Sequence, residues 1–76
     1  MIEILINEFD WASKQRLKEI KRSLVNSGWK IFGNNGTVVF FKDVTLDQAR
    51  KEMNILGITE LEPEEWHEEL YFDNIF

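Results

Sequence analysis

A chain of 76 residues, 43% of them hydrophobic, has the composition of one small folded domain and excludes an intrinsically disordered segment. Its formal charge of −5, from 14 acidic and nine basic residues, excludes a uniformly basic nucleic-acid coat but leaves room for a local basic face. Cysteine is absent, so a disulfide, a thiolate metal site and a thiol nucleophile are excluded as well.

Ile2-Glu3-Ile4-Leu5-Ile6-Asn7 alternates isoleucines onto one face and predicts a first strand. Asp10 stands as a helix N-cap. Leu17, Ile20 and Leu24 then recur at helical spacing, and Gly28 supplies a left-handed stop, so a helix is expected over residues 11–27. Ser13 and Ser27 fall where they can serve its ends. Two β-rich runs follow, Trp29 to Phe32 and Thr37 to Lys42, separated by Gly33-Asn34-Asn35-Gly36. An Asn-Gly pair between such runs predicts a hairpin, because both residues tolerate positive φ. Thr45 and Gln48 make a capping box. Leu46, Ala49, Met53 and Leu56 form a second helical stripe that Gly57 ends. Ile58 to Leu61 is the expected fourth strand. Pro63 suits the first turn of a further helix over Glu64 to Leu70.

The order predicts an α+β domain of ferredoxin-like, split β-α-β-β-α-β form: an antiparallel sheet with two helices on one face. The single domain divides into an α+β core over residues 1–62 and an acidic, aromatic C-terminal extension over 63–76. The alternative for residues 58–62 is a loop.

If Ile2, Ile4 and Ile6 face the helices and Lys42 faces water, the outer sheet face carries Leu5, Phe32, Val38 and Phe40, with Val39, Phe41, Trp29 and Ile31 inside. Four large apolar side chains on an open face call for a cover. Leu70, Tyr71, Phe72, Ile75 and Phe76 of the same chain, a second copy in a homodimer, or another protein could supply it.

Charge is divided along the chain. Residues 1–51 carry nine basic and six acidic side chains, a net of +3, whereas residues 52–76 carry eight acidic side chains and no lysine or arginine, a net of −8. Lys14, Lys18, Lys21 and Arg22 form one stripe on the first helix, with Arg16 off it; a solvated face is its plain reading. On a helix, Glu64 would stack on Glu68 and Glu65 on Glu69, which is mildly repulsive.

The residues of chemistry do not assemble. His67 is the only histidine. Glu64-x-x-His67 is half of a carboxylate-bridged metal pattern, and Tyr71 stands where a zinc-protease helix needs its second histidine. No metal site, no cofactor and no enzymatic activity are expected. Ile4–Asn7 and Gly36–Phe41 lie where RNA-recognition motifs keep their two conserved stretches, but Leu5 and Val38 replace the stacking aromatics. No stretch approaches the roughly 20 apolar residues of a membrane span, and no basic leader precedes an apolar run. A cytoplasmic protein without membrane attachment is therefore expected.

The leading expectation is a non-enzymatic protein-protein interaction module with a basic partner. It would be a small acidic inhibitor, phage-like in size and charge, that blocks a nucleic-acid-binding protein. Its contact residues would be Glu64, Glu65, Trp66, Glu68, Glu69, Tyr71, Phe72 and Asp73, the aromatics anchoring and the acids steering. One alternative is a nucleic-acid-binding module using Lys30, Phe32, Phe40 and Lys42 on the open sheet, disfavoured by the acidic tail. A structural homo-oligomer is the other.

Overall fold

Isoleucines at positions 2, 4 and 6 give strand β1 (Ile2–Asn7) one wholly buried face, and the rest of the fold is built against it. The computed structural model describes residues 1–66. After β1 come a 3-10 turn (Glu8–Asp10), helix α1 (Lys14–Asn26), strands β2 (Lys30–Asn34) and β3 (Thr37–Lys42), helix α2 (Leu46–Ile55) and a two-residue strand β4 (Glu64–Glu65). The sheet order is β2-β3-β1-β4, and every neighbouring pair is antiparallel. The described residues thus form an α+β fold with a four-stranded antiparallel sheet and two α-helices. Leu17, Ile20 and Leu24 of α1 and Ala49 and Met53 of α2 join Ile2, Ile4, Ile6, Val38 and Phe40 in one apolar cluster.

Helix α1 starts three residues later than the Asp10 cap implies. The Asn7 side chain accepts a hydrogen bond from the Phe9 N–H at 3.2 Å and closes the 3-10 turn by itself. Trp11 is then extended, and Ser13 becomes the N-cap, its hydroxyl accepting from the Arg16 N–H at 3.2 Å. The hairpin is tighter than expected: the strands run to Asn34 and resume at Thr37. Asn35 (φ 49°) and Gly36 (φ 85°) form a two-residue turn of left-handed residues. The capping box of α2 is present, with both the Thr45 and Gln48 side chains bonded to backbone N–H groups.

The fourth strand is not at Ile58–Leu61. That segment is held by the helices: the Ile58 N–H donates to the Met53 carbonyl at 2.9 Å, and Arg16 of α1 grips Gly57 and Glu60. The sheet is completed instead by Glu64 and Glu65, opposite Glu3 and Ile2, and the Trp66 N–H donates to the Met1 carbonyl at 2.9 Å. The helix expected over Glu64 to Leu70 therefore does not begin at Glu64. In a strand the two glutamates point to opposite faces, which separates their charges. Among the described residues, no helix is long and apolar enough to cross a membrane.

Candidate functional site

Strand register decides which side chains share a face. Ile4 stands opposite Phe40 and Ile6 opposite Val38, so Val38 and Phe40 lie on the helix side with the buried isoleucines. This corrects their expected place on the open face. The outer face holds Leu5 of β1, Val39 and Phe41 of β3, and Lys30 and Phe32 of β2. Leu5 is 54% exposed and Phe32 43%. Val39, expected inside, lies on this outer side yet is buried, and Phe41 is half-buried. Trp66 meets Phe41 edge to face, ring centroids 5.5 Å apart. Trp29 is inside as expected, whereas Ile31, on the same side, remains 49% exposed at the sheet edge.

Lys42 explains the reversal. Its ammonium does not face open water. It donates to the Ser27 carbonyl at 2.7 Å and to both Glu52 carboxylate oxygens at 3.0 and 3.2 Å, and it lies 5.8 Å from the centre of the Trp29 ring. The Trp29 indole N–H donates to the same carboxylate at 2.7 Å. A lysine at the end of a strand can lay its stem along the core and keep its charge at the rim. Because side chains alternate with period two, one misplaced residue turns the whole strand over.

The acidic residues divide into two groups. Glu52 is held by Lys42 and Trp29. Glu60 takes a two-pronged contact from Arg16, with the guanidinium Nε at 2.6 Å and Nη2 at 3.0 Å, while Nη2 also donates to the Gly57 carbonyl at 2.8 Å. Hydrogen bonding from Arg16 holds the Glu60 carboxyl down at about 2, and the Arg16 pKa is raised in turn. Glu62, Glu64 and Glu65 are exposed and take part in no ion pair among the described residues. In the chain they precede Trp66, itself half-buried. The structure thus places Glu64, Glu65 and Trp66 of the expected contact set at one sheet edge. Glu68, Glu69, Tyr71, Phe72 and Asp73 lie outside the described residues, as do His67 and the apolar residues of the proposed cover.

Helix α1 presents Lys14, Lys18 and Arg22 to solvent, while Lys21 pairs with Glu8 at 2.6 Å. Glu8, Phe9, Lys14, Leu17, Lys18 and Lys21 line a shallow groove of about 350 Å³. Phe9 is 81% exposed beside it. A second groove of about 300 Å³ lies between α2 and the following loop, over Met53, Ile58 and Pro63. Among the described residues, no three histidine, cysteine or acidic side chains gather as a metal site would require.

The Arg16–Glu60 contact was not legible in the sequence. Its partners are 44 positions apart, and nothing local to either residue announces the other. No protein-family model matches the chain, no curated protein matches its sequence, and no solved structure matches its fold.

Proposed function

We propose that the chain is a non-enzymatic protein-binding module, a small acidic inhibitor that occupies the nucleic-acid-binding surface of a basic partner. The observation that carries this reading is the acidic margin at β4. Glu62, Glu64 and Glu65 are exposed with no described cation against them, whereas Glu52 and Glu60 are compensated within the fold. Free carboxylates attract and orient a basic surface at long range. Trp66 beside them, braced on Phe41, is the type of anchor on which binding energy concentrates. Glu68, Glu69, Tyr71, Phe72 and Asp73 continue the same composition and belong to the proposed surface. The framework is read as a ferredoxin-like split β-α-β fold, supported by the order β2-β3-β1-β4 with antiparallel neighbours. Phage and mobile-element inhibitors offer a likeness of size and charge only.

The rival reading, nucleic-acid binding on the open sheet, loses two of its four residues. Phe40 is fully buried and Lys42 is bound to Glu52, leaving Lys30 and Phe32 on the outer side.

The test uses the immobilised full chain. A protein captured from a cell lysate is expected to elute with an oligonucleotide at an ionic strength that elutes nothing as salt alone. Glu62→Lys, Glu64→Lys and Glu65→Lys together should weaken that protein's binding at least about tenfold, about 1.4 kcal/mol. Lys14→Glu, Lys18→Glu and Lys21→Glu should leave it unchanged. The reading fails if the glutamate reversals have no effect while the lysine reversals abolish binding.

A further inference from the structure

Strand β2 is a sheet edge, and the hairpin fixes which of its backbone groups face away from the sheet. The turn of Asn35 and Gly36 closes on a hydrogen-bonded Asn34–Thr37 pair. Such pairs recur at every second position of an antiparallel ladder. Phe32 with Val39 and Lys30 with Phe41 therefore exchange their N–H and C=O groups, and those of Ile31 and Gly33 point outward. Neither Ile31 nor Gly33 has a hydrogen bond to a described residue. Trp29, the next outward position, donates its N–H to the Leu24 carbonyl at 3.0 Å.

Among the described residues this edge has one of the devices that normally blunt one, the charge of Lys30, and no proline and no covering segment. It is five residues long. Ile31 and Phe32, on opposite faces, are both close to half exposed. The other edge is different in kind: β4 is two residues long, and both are glutamates.

We propose that β2 pairs with the β2 strand of a second copy, antiparallel about a two-fold axis through Phe32, joining two four-stranded sheets into one. The free groups themselves set this register. They lie on Ile31 and Gly33, symmetric about Phe32. Centring the axis there sets Ile31 opposite Gly33 of the second copy, and Gly33 opposite its Ile31, so that every free N–H and C=O of both strands is satisfied. A register centred on Ile31 would set Gly33 against Trp29, whose N–H is already engaged. The Phe32 rings meet in the pair where opposed side chains come closest. Lys30 lies opposite Asn34, so no like charges face each other. This contact is separate from the acidic margin at β4 and does not depend on it.

The natural chain has no cysteine, so single-cysteine variants report the register directly. On the axis, Phe32→Cys brings two Cα atoms within bridging range, and air oxidation is expected to convert most of the chain to a disulfide-linked dimer. Ile31→Cys, of similar exposure, places its own copies beyond the roughly 7 Å that a disulfide spans, and should cross-link at least about tenfold more slowly. Sedimentation of the unaltered chain should show monomer passing to dimer between about 10 µM and 1 mM. Ile31→Pro removes an outward N–H and leaves the β3 ladder intact; it should raise the dimer dissociation constant at least about tenfold. Where that variant fails to fold, the cysteine pair decides. Equal cross-linking at 31 and 32, or a monomer at every concentration, overturns the proposal. Masses growing beyond a dimer also overturn it, since they would assign β2 to β4 of the next copy in an open chain.

Discussion

Replacing Phe40 by alanine separates the two possible orientations of β3. Phe40 is 0% exposed and stands between Ile4 on β1 and Ile31 on β2. Truncating a phenylalanine so enclosed costs about 3–5 kcal/mol, the lost transfer energy plus the cavity left behind. A domain of this length has a total stability of about 4–11 kcal/mol, so the variant forfeits a large share of it. With a urea dependence of about 1.5 kcal/mol per molar, the unfolding midpoint followed by circular dichroism should fall by about 2–3 M. Phe41→Ala is the matched control. Its ring is half-buried on the outer face against Trp66, and removing it should cost about 1–2 kcal/mol. Phe40→Leu covers the case in which Phe40→Ala leaves too little folded protein: about 1–2 kcal/mol is expected, more than for Phe41→Leu, or about 4–8 °C in melting temperature per kcal/mol. If Phe41→Ala proves as costly as Phe40→Ala, the face assignment and the register behind it are wrong.

Glu60 should titrate at about 2 by NMR and return to the ordinary carboxylate range in Arg16→Gln. A carboxyl depressed in the folded state stabilises above its unfolded pKa and loses that contribution as pH falls through the folded one. Arg16→Gln should therefore lower stability at neutral pH and remove the part of the acid dependence that Glu60 contributes between about 4.5 and about 2. Ser13→Ala should cost about 1 kcal/mol in thermal or urea unfolding, and more than Asp10→Ala, because Ser13 holds the first turn of α1. Gly36→Ala should destabilise by about 1 kcal/mol or more, measured in the same way. Its φ is 85°, and a Cβ there would fall 2.1 Å from a Phe9 ring carbon. In a Phe9→Ala background the ring conflict disappears and only the backbone cost should remain.

Local chemistry determined much of this protein. The Asn35-Gly36 turn, the Thr45–Gln48 box, the glycine stops at 28 and 57 and the Leu17/Ile20/Leu24 stripe all act between groups a few residues apart, so the sequence carries them openly. Even there, Asn7 and Ser13 competed with Asp10, and the short-range hydrogen bonds of the first two won. The outer and inner faces of β3 were not legible, because they hinge on where Lys42 finds oxygen acceptors. Those acceptors, on Ser27 and Glu52, are 15 and 10 positions away and become neighbours only when the helices are packed. The fourth strand was lost for a similar reason. Ile58 to Leu61 has the better strand composition, but pairing goes to the segment that can reach the free edge of β1. Arg16 and the Met53 carbonyl tie residues 57–60 to the helices, and Glu64 and Glu65 arrive at the edge instead. The acidic run reads as one block along the chain. Coulomb partners are chosen through space, so the fold turned Glu52 and Glu60 into internal ion pairs and left Glu62, Glu64 and Glu65 facing solvent.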